Sequence, residues 1–295
     1  MARNVEKDHV TGTDTTGHEW DGIKELNTPL PKWWIYTFWA TVIWAIGYVI
    51  AYPAIPLIHG NTPGLLGYSS RADVEAALSV AKADQAKWAD KISAANLDDI
   101  VKDPELLQFA QAAGAAAFKV NCVQCHGSGA QGGPGYPNLN DNDWLWGGTL
   151  DQIHTTVQNG IRYTANADTR DSQMPNFGAD KVLTPEQIGD VANFAMSLSG
   201  GEGVDAAAAD RGKQVFADNC AACHGDTGTG NKDLGAPNLT DKLWLYGGSV
   251  QAVMAQVNKP RHGVMPAWSG KLDETTIKEL TVYVHSLGGG EATVQ

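Results

Sequence analysis

Two copies of Cys-x-x-Cys-His, Cys122-Val-Gln-Cys125-His126 and Cys220-Ala-Ala-Cys223-His224, use all four cysteines of this chain. The pattern is the attachment signal for haem c. Two thiols three positions apart each reach one vinyl group of a single haem, and the histidine that follows is carried beneath the ring to ligate its iron. Structural zinc knuckles, redox dithiols and disulfides also use Cys-x-x-Cys. Neither motif has the second Cys or His pair at short spacing that zinc needs, and no strand-helix-strand pattern surrounds them as it would a thioredoxin-like site. All three readings also leave the histidine unexplained. Two covalently bound haem c groups are therefore expected, one on Cys122 and Cys125 and one on Cys220 and Cys223.

The surroundings of the motifs repeat as well. Gly114-x-x-x-Phe118 precedes the first motif and Gly212-x-x-x-Phe216 the second; Pro137-Asn138-Leu139 answers Pro237-Asn238-Leu239, and Trp144-Leu145-Trp146-Gly147-Gly148 answers Trp244-Leu245-Tyr246-Gly247-Gly248. Met174-Pro175 then answers Met265-Pro266, and Phe194 with Ser197-Leu198 answers Tyr283 with Ser286-Leu287. One module has been duplicated. Each copy reads as short helices joined by Gly- and Pro-rich loops, so that a haem replaces much of the core. A glycine one turn before an aromatic lets a second helix approach closely. The expected partner is the last helix of the module, carrying Phe194 or Tyr283.

Haem leaves two axial positions on its iron. His126 and His224 fill one in each site, and Met174 and Met265, 48 and 41 residues further on and each followed by proline, are the candidates for the other. Their parallel placement in the repeat pairs His126 with Met174 and His224 with Met265. A thioether ligand favours reduced iron and suits electron transfer. Met1 is the initiator, and Met196 and Met254 fall in apolar helical patterns that read as core. His154, His262 and His285 are rival ligands, of which His154 and His285 sit in helical segments without a repeat counterpart. The carbonyls of Pro137 and Pro237 are candidate acceptors for the second imidazole N–H. Trp144, Trp244, Arg162 and Arg261 are candidates for contact with haem propionates, with packing or solvation the equal alternative. The repeats differ most before the methionine, where Arg162 to Gln173 is longer and more polar than Arg261 to Val264. With both axial positions filled the chain is an electron carrier rather than an enzyme by itself.

Residues 33–59 carry no charged side chain, begin Trp33-Trp34-Ile35-Tyr36 and end near Tyr52-Pro53-Ala54-Ile55-Pro56. That length crosses a hydrocarbon core of about 30 Å as a helix, with aromatic rings at its ends and prolines that stop or bend it. A cleavable leader fits poorly, because the stretch starts late, follows an acidic tail and lacks an Ala-x-Ala site. Trp39, Trp44 and Tyr48 lie deeper, placed to face either a partner helix or lipid. Arg3, Lys7, Lys24 and Lys32 precede the span and Arg71 follows it, which puts the tail of residues 1–32 in the cytoplasm. Haem c is attached outside the inner membrane, so residues 60–295 are expected in the periplasm of a bacterium. The net charge of −12 argues against nucleic acid as a partner.

Residues 60–104 read as a linker: a turn at Asn61-Thr62-Pro63-Gly64, then a helix that Ser70 is placed to cap, with Val74, Leu78, Ala81, Trp88 and Ile92 recurring on one face. Such a helix should dock onto something. Cytochrome domains follow at 105–200 and 205–289. The expected fold class is all-α, with one N-terminal transmembrane helix followed by two tandem class I cytochrome c-like domains.

This arrangement resembles the dihaem subunit III of cbb3-type cytochrome c oxidases, the CcoP or FixP family. The resemblance rests on Leu30-Pro31-Lys32-Trp33-Trp34, on Tyr52-Pro53-Ala54-Ile55-Pro56, and on the two modules with Pro-Asn-Leu, Trp-x-x-Gly-Gly and Met-Pro in order. It implies a subunit that takes electrons from a donor cytochrome c and passes them to a monohaem subunit and then to a haem-copper catalytic subunit where oxygen is reduced. The competing functions are a freestanding dihaem shuttle, the cytochrome subunit of a periplasmic dehydrogenase, and a dihaem peroxidase, which would need one iron with an available sixth position.

Overall fold

A computed structural model describes residues 5–292. Met1 and Arg3, read above as the initiator and as part of the basic tail, lie outside the described residues. The chain divides into two compact units, residues 1–83 and 84–295.

In the first unit β1 (Thr15–Trp20) and β2 (Ile23–Leu26) form an antiparallel hairpin in which Trp20 faces Ile23. Asp21 and Gly22 both take positive φ, 48° and 83°, the backbone of a two-residue type I′ turn whose twist suits a hairpin. The chain is mostly helical, as its fold class requires, and these short strands lie outside the two cytochrome c repeats; Asp-Gly between apolar residues is a local hairpin signal. A second pairing joins β3 (Pro56–Leu57) to β4 (Gly60–Asn61).

Helix α1 (Lys32–Ala51) has 20 residues and a mean hydropathy of 1.5 in its most apolar window, and none of it is buried. At about 1.5 Å per residue it is about 30 Å long, enough to cross a membrane. It stops earlier than the uncharged stretch does, because a residue before proline disfavours helical backbone and Tyr52 is extended (φ −115°, ψ 159°). The chain then folds back, and the N–H groups of Leu65 and Leu66 donate to the carbonyls of Ile50 and Ala51 at 2.9 and 3.0 Å. Those carbonyls would otherwise lack partners at a helix end. Helix α2 (Ser70–Ala94) is capped by Ser69 and not by Ser70, since the Ala72 N–H donates to Ser69 Oγ at 3.3 Å.

The second unit holds the last turns of α2, then α3 (Leu97–Lys102), α4 (Pro104–Asn121), α5 (Val123–His126), α6 (Leu150–Asn159), α7 (Pro185–Leu198), α8 (Ala206–Asn219), α9 (Ala221–His224), α10 (Val250–Asn258) and α11 (Glu274–His285). Local sequence explains the starts. Asp103 and Asp205 accept N–H groups at the heads of α4 and α8, and Thr149 with Gln152 and Thr184 with Gln187 form complete capping boxes on α6 and α7.

The helices do not pair in repeat order. Helix α4 of the first repeat packs on α11 of the second, and α7 of the first packs on α8 of the second. A side chain at Gly114 would run into the Glu279 carbonyl and the Tyr283 Cβ, and one at Gly212 into the backbone of Asp190 and Val191. The expectation that each leading helix meets the last helix of its own module is therefore corrected: Phe118 lies 5.4 Å from Tyr283, and Phe216 lies 5.2 Å from Phe194. The result is two lobes with exchanged halves. The first lobe is α4, α5, α6 and α11; the second is α7, α8, α9 and α10. Phe118, Ile153, Val157, Ile277, Leu280 and Val284 form the core of the first, and Val191, Ala195, Phe216, Val250, Val253 and Val257 belong to the core of the second.

Candidate haem sites

Each site is built where a leading helix ends. Cys122 caps α4 and Cys220 caps α8, and a single further turn carries the second cysteine and the histidine. The N–H groups of Cys125 and His126 both donate to the Cys122 carbonyl, at 3.2 and 2.9 Å, and Cys223 and His224 repeat this on Cys220 at 3.1 and 3.0 Å. The turn thus brings two thiols and an imidazole together at one helix end. Cys125 and Cys223 are exposed, while Cys122 and Cys220 border the two cores.

His126 Nδ1 lies 3.2 Å from the Pro137 carbonyl and His224 Nδ1 lies 3.1 Å from that of Pro237. A carbonyl only accepts, so Nδ1 carries the proton and Nε2 keeps its lone pair for a metal. Burial holds both imidazoles below the usual histidine range, opposed in part by these carbonyls. The rings are therefore neutral at neutral pH, as ligation requires. Burial, followed by the charge of the neighbouring cysteine, pushes the Cys122 and Cys220 thiols up to about 11. Redox dithiols and metal thiolates need the opposite shift. A paired thiol turn, an oriented neutral imidazole and an apolar wall fit haem c.

Met265 packs against the core that holds Phe118, with Cys122, Val123, Leu139 and Trp144, and Met174 packs against the core that holds Phe216 and Cys220, with Leu239 and Trp244. This crosses the pairing read from repeat order, His126 with Met174 and His224 with Met265. The physical reason is the helix exchange, because each methionine travels with the last helix of its own repeat into the opposite lobe.

The rival residues have other partners. His154 Nε2 meets Glu274 Oε1 at 2.9 Å, and His285 Nε2 meets the Glu291 carbonyl at 3.0 Å. Met196 is buried in the core of the second lobe, and Met254 packs against it. Trp144 donates its indole N–H to the Gly289 carbonyl at 2.6 Å. Arg261 lies over the Tyr246 ring and donates to the Tyr246 carbonyl at 3.0 Å. Arg162 donates to the carbonyls of Gly263 and Ser172. Among the described residues no cluster of three or more His, Cys, Asp or Glu offers a further metal site.

Arg170 was missed in the sequence. It donates to the Trp146 carbonyl and to Thr156 Oγ, both at 2.8 Å, and its guanidinium lies 5.4 Å from the Trp146 ring. The longer polar loop of the first repeat thus reaches back to the lobe it has left. Trp146 in turn packs on Gly235 of the second repeat, and the Gly135 N–H donates to the Leu245 carbonyl at 2.8 Å. A cleft of about 550 Å³ beside this seam is lined by Tyr136, Pro137, Leu145, Trp244, Tyr246 and Arg261. A lone arginine in a polar loop gives no signal in the sequence, and Trp146 and Tyr246 are marked there only as matching positions of the repeat.

Comparison with known proteins follows the same division. Residues 12–59 match the family described as the N-terminal domain of cytochrome oxidase-cbb3, FixP, and residues 109–194 and 207–284 match cytochrome c oxidase, cbb3-type, subunit III. The cbb3-type cytochrome c oxidase subunit FixP of Sinorhizobium medicae is 55% identical over 284 residues, covering 96% of this chain and 97% of the relative. FixP of Bradyrhizobium diazoefficiens is 55% identical over 294 residues, covering 99% and 100%. The subunit CcoP of Cereibacter sphaeroides is 53% identical over 277 residues, covering 94% and 95%.

Proposed function

Because the chain belongs to the subunit III family of cbb3-type cytochrome c oxidases, named FixP or CcoP in its relatives, we propose that it carries two haems with crossed axial pairs. His126 pairs with Met265, and His224 pairs with Met174. The chain is an electron-transfer subunit of that oxidase complex and not an enzyme by itself, and as a cytochrome c it binds haem covalently. The observation that carries the crossed pairs is the packing of Met265 on the core of Phe118 and Cys122 and of Met174 on the core of Phe216 and Cys220.

Haem, when bound, would supply an iron that exchanges one electron, with the reduced state favoured where a thioether is among its ligands. The residues do the rest. Cys122 and Cys125, and Cys220 and Cys223, hold the two groups covalently; the Pro137 and Pro237 carbonyls fix the imidazoles; the two cores exclude water. Electrons enter from a donor cytochrome c and leave towards the monohaem subunit and the haem-copper catalytic subunit. The segments are a cytoplasmic tail (1–32), an inner-membrane anchor and its exit (33–59), a periplasmic linker (60–104) and two cytochrome c repeats (105–200 and 205–289). Protease added to right-side-out spheroplasts should cut after residue 59; protection of both repeats would reverse this topology.

A tagged haem tests the pairing. Cys220→Ala leaves one vinyl group free on the second haem and moves its absorption to longer wavelength. In that background Met174→His should lower the potential of the tagged haem and leave the other nearly unchanged. A fall confined to the untagged haem would restore the pairs in repeat order.

A further inference from the structure

Helices α6 and α10 end at the two places where the chain crosses from one lobe to the other. Val157 and Val257 hold matching core positions near their ends, so Arg162 and His262 are counterparts five residues further on. The crossing segments pair: the Ile161 N–H donates to the Met265 carbonyl at 2.9 Å and the Met265 N–H to the Ile161 carbonyl at 3.0 Å. Gly160, at φ +71°, must be glycine because a side chain there would strike the Met265 carbonyl.

Arg162 sits in the middle of this crossing. Its Nε–H donates to the Gly263 carbonyl at 2.8 Å and its Nη1–H to the Ser172 carbonyl at 2.9 Å. Each of those carbonyls lies two residues before a methionine, Met265 in one case and Met174 in the other. The Arg162 backbone N–H adds a bond to the Arg170 carbonyl at 2.7 Å, and its φ of +52° is one that residues other than glycine seldom adopt. A strained backbone persists where its surroundings over-determine it, and such positions cluster at functional sites. Among the described residues no carboxylate is within ion-pair distance of this half-buried guanidinium, so the two carbonyls are its engagement. His262 faces the backbone of Met174 and the charge of Arg162.

We propose that Arg162 is a positioning residue shared by both iron sites, holding the Met174 and Met265 loops at a fixed separation so that the two axial thioether bonds loosen together. This rests on the methionine ligation proposed above. The guanidinium suits the task because its planar fork offers donors at fixed angles to two acceptors at once, whereas the lysine ammonium is a point charge on a flexible stem. Arg162→Lys keeps the charge and loses the fork.

The test uses the full chain, haem-loaded and in detergent. In Arg162→Lys both reduction potentials should fall, the methionine-to-iron absorption band should weaken at both haems, and both reduced haems should take up carbon monoxide that the unchanged protein excludes, with haem content and helicity kept. A change at one haem alone, or at neither, overturns the proposal while leaving the ligand assignment standing. The unchanged protein offers a second measurement that no folding failure can obscure. On warming, the methionine band should disappear from both haems at one midpoint. Two separate midpoints overturn the coupling, and absence of the band at every temperature overturns the ligand assignment together with it.

Discussion

The two lobes share a plan and differ in what surrounds their helix pairs. In the second lobe Asp190 on α7 is buried and takes a bidentate pair from Arg211 on α8, at 2.6 and 3.0 Å. Aligning Phe194 with Tyr283 puts Glu279 of α11 at the same place in the first lobe, and aligning Gly212 with Gly114 puts Ala113 where the arginine would be. Glu279 is equally buried, and burial, followed by the charge of Asp273, pushes its carboxyl up to about 7. The first lobe draws instead on the linker. Trp88 stacks on Phe109 at 6.1 Å, Ile92 and Ile100 are fully buried with Val282, and Lys278 Nζ donates to the carbonyls of Ser93 and Ala95 at 2.9 and 2.8 Å. The last turns of the amphipathic linker helix thus dock on the first lobe. One duplicated pair of helices was stabilised by a cation within the pair in one lobe and by an added layer in the other.

Removing a core ring should break this comparison most severely. Phe118→Ala and Phe216→Ala, at positions 1% and 2% exposed, should each cost about 3–5 kcal/mol in denaturant titration. If the lobes are exchanged, Phe118→Ala disturbs the haem on Cys122 together with the Met265 ligand and spares Met174. A disturbance of Met174 and sparing of Met265 would return the fold to repeat order. Next in size is Lys278→Ala, which removes a charged donor from the end of α2 and should cost about 1–2 kcal/mol. Hydrogen exchange should rise in residues 88–102 and stay unchanged in α7 and α8; equal change in both lobes would mean the linker is no special support of the first.

Glu279→Gln should have the smallest effect at acid pH, where the carboxyl is protonated in folded and unfolded chains alike, and a growing, diagnostic one above it. The folded carboxyl titrates above its ordinary value of 4.5, so the native state holds a proton that the unfolded chain releases between about pH 4.5 and about pH 7. Stability is therefore lost as pH rises through that window, and above it the buried charge persists as a penalty. Glutamine removes the penalty and should flatten the pH dependence of the denaturant midpoint. An unchanged slope would show that Glu279 is not the group responsible.

Much of the candidate site is legible in the sequence. The thiol and imidazole turn is set by covalent spacing, and the Pro137 and Pro237 carbonyls fall where the duplicated loops suggested. Capping boxes at Thr149 and Thr184 and the end of α1 at Tyr52-Pro53 are local as well. The Asp21-Gly22 hairpin turn is equally local. Arg162 and Arg170 were not legible in their roles, because a guanidinium in a loop points nowhere until the carbonyls that receive it are assembled.

Sequence by itself marked each half-site, since the Cys-x-x-Cys-His turn closes within five residues and the proline carbonyl that meets its imidazole stands 11 residues on in one repeat and 13 in the other. Tertiary structure alone decided which halves meet. The faces that carry Gly114 and Gly212, and those that carry Tyr283 and Phe194, follow one pattern, so periodicity does not distinguish a partner in the same repeat from one in the other. Chain connection breaks the tie: residues 199–205 join α7 to α8, and helices linked that closely pack as antiparallel neighbours. Once α7 lies on α8, α4 has α11 left to bury its glycine face, and each methionine follows its helix across the molecule.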